Sequence, residues 1–245
     1  CSILKAIRLF IQAKADGQTY LLTSGSPKMS EIGWTADYCN IRDLKTGEEM
    51  DLTPCSPDLS YDVTMKLTDK EAVSTIKADI PAAFVAYSDS KVTAFSGGDK
   101  NASVSQKGNM ITVNYQTTEK VETVPGYYLL RLPDSPAGVS HQPYASFNST
   151  RDCNLFLPYA PNETYTYTIE VPANMELSTP VAEKNISNAA GNCIQTIKQN
   201  GNKVEVSRSL KIDSNLIKRS DYPAFHTLMA AWADINNTQL LFKQK

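Results

Sequence analysis

The chain has little of what most enzymes and nucleic-acid binders advertise. It has only two histidines among 245 residues, His141 and His226, and they are far apart. None of its five cysteines, Cys1, Cys39, Cys55, Cys153 and Cys193, stands two to four residues from another. Metal-site spacing is therefore missing, and no metal or other cofactor is expected. No run of Lys and Arg breaks a net charge of -2, which argues against a nucleic-acid partner. No apolar stretch reaches the roughly 20 residues a membrane helix needs, and no secretory leader pattern is visible. Ile3–Ala13 reads as an ordered helix, so Cys1 is taken as an arbitrary boundary with more sequence upstream.

What the chain does have is alternation. In KVEVSRSLKID (203–213), Val204, Val206, Leu210 and Ile212 fall on one face and polar residues on the other. Arg208 occupies the apolar register. The same two-residue rhythm recurs in Tyr61–Thr68, Ala72–Ile80, Met110–Thr117, Val124–Leu132 and Thr164–Val171, with a short central strand at Cys153–Leu157. Thr68-Asp69-Lys70-Glu71 should close one antiparallel hairpin. Asn200-Gly201 should turn Cys193–Lys198 into Lys203–Asp213. Tyr127-Tyr128-Leu129-Leu130 is apolar on both faces and should be covered on both. Gly97–Asn109 reads as loop with one edge strand; Pro81–Ala94 reads ambiguously, a short helix starting at Pro81-Ala82-Ala83-Phe84 being one option.

At the N-terminal end, Ile3, Ile7, Phe10 and Ile11 recur at helical spacing, ended by Asp16-Gly17 and followed by a strand, Gln18–Thr23. The region 24–43 reads as irregular, with Trp34 and Tyr38 folding back on a sheet. Lys45-Thr46-Gly47 marks a turn. Pro54 and Pro57 place a border near residue 57. Near the other end, Phe225, Leu228, Met229, Trp232 and Ile235 form a helical stripe. Asp221 or a neighbour would cap that helix and Pro223 would sit in its first turn. Thr238–Lys243 would add a last strand. The expected fold is mainly β: a sandwich of antiparallel strands over 58–245, a C-terminal helix packed on it, and a small mixed segment over 1–57 too short to fold alone.

Few residues offer chemistry. Arg208 in a buried register needs a partner, because an unpaired buried charge costs several kcal/mol. Arg151 stands before an apolar segment. With Tyr165 and Tyr167 these form the candidate ligand-binding set, for a carboxylate or a glycan hydroxyl. A structural ion pair or a hydrogen bond to carbonyls is the plainer account of each arginine, and cross-strand packing that of the tyrosines. A thiol nucleophile from Cys39 or Cys153 with His141 lacks an activating local context. Cys39–Cys55 and Cys153–Cys193 could bridge; small buried hydrophobes are the plainer reading. Five Asn-x-Ser/Thr sites, beginning at Asn101, Asn148, Asn162, Asn185 and Asn236, are frequent by chance in so Asn- and Thr-rich a chain.

Several segments in order carry a resemblance: GYYLLRLPDSPAG (126–138), RDCNLFLPY (151–159), YTYTIEVPANMEL (165–177) and the long closing stretch 204–245. Together they resemble the C-terminal domain of unknown function that follows a transglutaminase-like domain in exported multi-domain proteins of Bacteroides-type bacteria. That family closes with an arginine-containing strand, an aspartate-tyrosine pair, a helix and a final strand. Here these correspond to Arg208, to Asp221 and Tyr222, to Tyr222–Ile235, and to a strand including Leu240–Lys243. Residues 16–57 resemble the end of the transglutaminase-like core. The place of that core's catalytic aspartate falls near Leu22 and Thr23, which are not acidic, so no catalytic residue carries over.

The resemblance implies a non-catalytic β-sandwich module in the periplasm or on the outer surface of a bacterium. It would scaffold or contact a partner beside an upstream transglutaminase- or protease-like domain. Asp221, Tyr222, Pro223 and Trp232 are given structural roles. A carbohydrate- or peptide-binding module is one alternative, and a thiol hydrolase of transglutaminase-like type is another.

Overall fold

The computed structural model describes residues 9–15, 18–23, 40–43, 49–51, 58–81, 99–107, 110–141, 150–157, 160–234 and 238–245. The chain divides into two compact units, Cys1–Cys55 and Ser56–Lys245.

In the first unit, β1 (Leu9–Ala15), β2 (Gln18–Thr23), β3 (Asn40–Asp43) and β4 (Glu49–Asp51) form an antiparallel sheet of order β2-β1-β3-β4. The helix expected over Ile3–Ala13 is therefore corrected from Leu9 onward; residues 3–8 lie outside the described residues. Leu9, Ile11, Ala13 and Ala15 alternate along this segment, and Ala15 pairs with Gln18 across the two-residue Asp16-Gly17 link. Asp-Gly between two alternating runs is a strong hairpin cue, and it outweighs four residues at helical spacing. The strand β3 lies in a stretch expected to be irregular. Trp34, Tyr38, Cys1, Cys39 and Cys55 lie outside the described residues.

The second unit is built on one eight-stranded sheet. Its strands are β5 (Asp58–Leu67), β6 (Glu71–Pro81), β7 (Ser103–Lys107), β8 (Met110–Lys120), β12 (Asn162–Glu170), β14 (Ala182–Asn188), β15 (Gly191–Asn200) and β16 (Lys203–Ile212). Their order is β14-β15-β16-β12-β5-β6-β8-β7. All neighbours are antiparallel except β12 and β5, which run parallel. The expectation of purely antiparallel strands is corrected there. Both predicted hairpins form, β5–β6 and β15–β16, and Gly201 takes a φ of 59° in the second link.

A smaller sheet of order β13-β18-β10-β9 combines β9 (Glu122–Val124), β10 (Tyr127–Arg131), β13 (Met175–Leu177) and β18 (Gln239–Gln244). The single strand expected over Val124–Leu132 is instead a hairpin, with Val124 opposite Tyr127. Gly126 at φ 81° explains it: Pro125-Gly126 is the central pair of a type II turn. Leu155–Phe156 (β11) is not central either; among the described residues it pairs only with Leu216–Ile217 (β17). Pro81 is paired with Met110 at the end of β6; the helix expected to begin there otherwise falls outside the described residues. The edge strands β13 and β14 had no sequence signal, because their side chains barely alternate.

The helix α1 (Tyr222–Ala233) follows its stripe: Phe225, Leu228, Met229 and Trp232 are all buried, and Pro223 sits in the first turn. Ile235 lies outside the described residues. Asp221 occupies the N-cap position, but its side chain makes no capping bond and is held by the Ser220 hydroxyl. The Asp221 backbone carbonyl accepts the first helical bond, from the Phe225 N–H at 3.1 Å.

Along the large sheet one face is buried and the other meets water. In β5, for instance, Leu59, Tyr61, Val63, Met65 and Leu67 are buried while Asp62, Thr64 and Lys66 are exposed. The helix packs on β14, β15 and β16. Leu130, Leu240 and Phe242 of the small sheet join the same apolar core. The architecture is mainly β with one C-terminal helix.

Candidate functional site

The polar residues of the buried face converge. Pairing across five strands places Ala78, Tyr61, Tyr165, Arg208 and Gln195 in one lateral row. One row along lie Glu163, beside Leu59 and Leu210, and on the other side Tyr167, beside Val63 and Val206.

Arg208 is 2% exposed, and among the described residues no carboxylate forms an ion pair with it. Its charge is met in three ways. Nη2 donates to the Trp232 carbonyl at 2.8 Å, the guanidinium lies 4.2 Å from the Trp232 ring centre, and the Tyr167 phenol is near enough to feel its charge. That phenol donates to the Pro133 carbonyl at 2.7 Å. The Trp232 carbonyl belongs to the last turn of α1, where carbonyls lack helical partners and the helix dipole favours a cation. Arg208 thus closes the C-terminal end of the helix from the sheet beneath it. Trp232 stacks at a tilt on Tyr165 (5.4 Å), which stacks on Tyr61 (5.3 Å).

Glu163 is equally enclosed. Its Oε1 accepts from the Val139 N–H at 2.7 Å and its Oε2 from the Tyr165 hydroxyl at 3.1 Å. Desolvation pushes its carboxyl up to about 8, against those two bonds and the nearby Arg208, so it is neutral at pH 7. Burial likewise raises the Tyr61, Tyr165 and Tyr167 phenols above their ordinary range. Tyr61 and Tyr115 share a hydroxyl–hydroxyl bond of 2.9 Å. The short 3-10 turn Val139–His141 is held by Glu163 on one side, and on the other by the Trp232 indole N–H donating to the Ser140 hydroxyl at 3.2 Å. Gly138, just before it, has no room for a side chain: a Cβ would collide with the Tyr165 hydroxyl.

Of the four residues expected to contact a ligand, Arg208, Tyr165 and Tyr167 lie inside this cluster. Arg151 stands apart, half-buried over the Tyr222 ring at 5.8 Å. Trp232 and Tyr222 are buried in the core, while Asp221 and Pro223 are exposed. Cys153 is exposed and Cys193 buried, both as free thiols, and burial raises the Cys193 thiol. His141 is exposed. Among the described residues no group of His, Cys, Asp and Glu could hold a metal ion, and no helix is long and apolar enough to cross a membrane.

Two hollows open on the surface. The larger, about 730 Å³, lies on the polar face and is lined by Asp58, Ser60, Asp79, Thr112 and Asn162. These groups already bond one another: Thr112 to Asp79, Asn162 to Asp58 and Ser60 to Asp79. The second, about 430 Å³, is a groove between Leu129 and Leu241 of the small sheet and Ala182, Lys184, Gln195 and Ile197 of β14 and β15. Sequence reasoning missed it because β14 carries no alternation to read.

Comparison with known proteins agrees with the sequence resemblance. No curated protein matches the chain. A crystal structure from Parabacteroides distasonis ATCC 8503, described as a "putative protease", shares 20% identity and a TM-score of 0.51 over 96% of this chain. The chain spans 35% of that protein's length, and the likeness is one of fold. The family model of DUF3858, a domain of unknown function with a solved structure, matches residues 127–242. That range takes in the small sheet's β10, the Arg208 strand, α1 and most of β18, so this part of the chain is similar to DUF3858, a family found C-terminal to transglutaminase-like domains.

Proposed function

We propose that the chain is a non-catalytic β-module of an exported bacterial protein, contacting or scaffolding a neighbouring transglutaminase- or protease-like domain. One observation carries this reading. Among the described residues, the buried polar cluster is spent on its own architecture: Arg208 holds the end of α1, Glu163 holds the Val139–His141 turn, and Tyr167 donates to the Pro133 carbonyl. A catalytic cluster keeps polar groups facing a substrate in a cleft; here Arg208, Glu163 and Tyr165 are at most 2% exposed. The family match beside transglutaminase-like domains and the fold shared with a larger protein described as a protease support the same context. Placement in the periplasm or on the outer surface follows from that context.

The test is to incubate the purified 245-residue chain with unfolded protein substrates and a primary-amine acyl acceptor. Products are then followed by mass spectrometry. No cleavage and no cross-linking is the expected outcome. Turnover that disappears in Cys153→Ser or Cys193→Ser would overturn the non-catalytic reading.

A further inference from the structure

The eight-stranded sheet has two outer strands, β14 and β7. β14 bears Glu183 and Lys184, and charge of this kind blunts a sheet edge against further pairing. β7 has neither charge nor proline from Ser103 to Gln106, and among the described residues it pairs only with β8. Its second residue, Val104, lies opposite Val113, which lies opposite Ala78, which lies opposite Tyr61. Val104 is thus the last member of the lateral row that holds Tyr165 and Arg208. Ala78 and Val113 are 0% exposed, whereas Val104 is 45% exposed. The dry row of the sheet runs out into water at this edge.

The ladder to β8 shows which backbone groups of β7 remain open. Gln116 of β8 sends its N–H to the Asp99 carboxylate at 2.8 Å, in the turn leading into β7. Val121, just past the end of β8, sends its N–H the other way, to the Lys70 carbonyl beside β6 at 2.9 Å. Directions alternate along a strand, so Thr112 and Asn114 point at β7 as Gln116 does. Their partners Ser105 and Ser103 therefore form the hydrogen-bonded pairs of the β7–β8 ladder. Val104 and Gln106 turn their N–H and C=O groups away from β8. The Ala102 carbonyl points the same way, and the Ala102 N–H is taken by the Asp99 carbonyl at 3.2 Å.

We propose that two copies of the chain pair through β7, antiparallel about a two-fold axis, so that their large sheets join edge to edge. In the self-matched register Val104 lies opposite the partner's Val104. Each Val104 N–H donates to the partner's Val104 carbonyl, and each Gln106 N–H to the partner's Ala102 carbonyl. These are the groups that β8 leaves open. The two Val104 side chains meet on the dry side and carry the apolar row from one copy into the other. Ser103 meets the partner's Ser105 on the wet side. The edge is its own complement, and the closed contact leaves neither copy's β7 free. An edge contact of this length is small, which places the dimer at the weak end of protein association. The inference goes beyond the contact role proposed above and does not depend on it.

The experiment runs the whole 245-residue chain in sedimentation velocity from roughly micromolar to millimolar concentration, the span in which so small a contact associates. A monomer–dimer equilibrium is the expected result. Val104→Lys, at an exposed position where folding is not at risk, removes the apolar pair and sets two ammonium groups against each other across the axis. It should weaken the dimer by roughly tenfold, with an unchanged far-ultraviolet spectrum. Val104→Cys should give a disulfide-linked dimer under mild oxidation, because a hydrogen-bonded antiparallel pair holds its Cα atoms about 5.5 Å apart. Cross-linking is read above the background set by the exposed Cys153 of the parent. Val181→Cys, at a position 61% exposed just ahead of β14, should stay at that background. Amide exchange at Val104 and Gln106 should slow as concentration rises, while Ser103 and Ser105, already bonded to β8, should not change. A chain that stays monomeric throughout, a dimer that Val104→Lys does not weaken, or cross-linking of Val181→Cys as efficient as that of Val104→Cys would each overturn the inference. None of these outcomes bears on the non-catalytic reading.

Discussion

The two faces of the eight-stranded sheet use similar side chains to opposite ends. On the wet face Asp79, whose side chain is 26% exposed, accepts from Thr112 at 2.5 Å and pairs with Lys77 at 3.0 Å. Desolvation works against its charge, but Thr112, Lys77 and Ser60 outweigh it, and the carboxyl sits below its usual range. On the dry face Glu163 has two donors to the three of Asp79, yet desolvation wins and the carboxyl is neutral at pH 7. The donor count is similar; the solvent is not. A hydrogen bond exchanged with water contributes little, whereas a buried polar group left without its partner costs the whole desolvation penalty. Substitutions on the dry face should therefore be severe and those on the wet face mild.

The sharpest contrast comes from Arg208. Arg208→Ala removes the donor to the Trp232 carbonyl and the cation over the Trp232 ring, and opens a cavity beneath α1. A loss of about 3–4 kcal/mol is expected in urea unfolding at pH 7. Arg208→Met, which fills the volume without charge, should recover part of it. A loss below about 1 kcal/mol for the alanine variant would mean that the two faces do not differ as described. Next comes Gly138→Ala. Its Cβ has nowhere to go but into the Tyr165 hydroxyl, itself fixed under Trp232, so a loss of about 1–3 kcal/mol is expected by the same measurement.

This division into faces was largely legible in the sequence, because alternation is a direct readout of which side of a strand is dry. Arg208 stood out as a charge in the dry register, and its need for a partner, an ion pair or a carbonyl, could be stated in advance. Which carbonyl could not. Trp232 is 24 residues further on, and only the docking of α1 brings it over the strand. Glu163 was not singled out at all. It precedes the first residue assigned to that strand, and a single carboxylate shows no spacing. Leu9–Ala15 was misread because apolar residues at three-four spacing and at alternate spacing overlap in so short a run. The groove beside β14 was invisible for a different reason: a polar edge strand has no dry face to impose a rhythm.

Glu163 offers a finer test through pH. Its folded pKa of about 8 lies above the ordinary 4.5, so folding holds a proton that the unfolded chain releases. The associated stability is complete below about pH 4.5 and is lost as pH rises toward about 8. Glu163→Gln cannot ionise and keeps an acceptor for the Val139 N–H. It should unfold about 1 kcal/mol more easily than the parent at pH 5, where one good donor–acceptor geometry is replaced by a poorer one. That gap should close or reverse by pH 8. Parallel stability-against-pH curves for the two proteins would show that Glu163 is not the buried neutral acid described.

The smallest effect belongs to the wet face and runs the other way along the pH scale. Thr112→Val removes the hydroxyl that Asp79 accepts from, and its carboxyl should move back up toward its ordinary value. A depressed carboxyl contributes stability above its unfolded pKa and loses it as pH falls through the folded one. Thr112→Val should therefore cost up to about 1 kcal/mol at pH 7, limited by the partial exposure of Asp79, and progressively less as pH falls through the lowered range of the parent's carboxyl. Glu163→Gln and Thr112→Val together make one comparison. Each replaces a side chain in a carboxyl hydrogen bond on the same sheet, yet relative to the parent the first recovers as pH rises and the second as pH falls. Only a difference in solvent between the two faces produces opposite slopes from like chemistry.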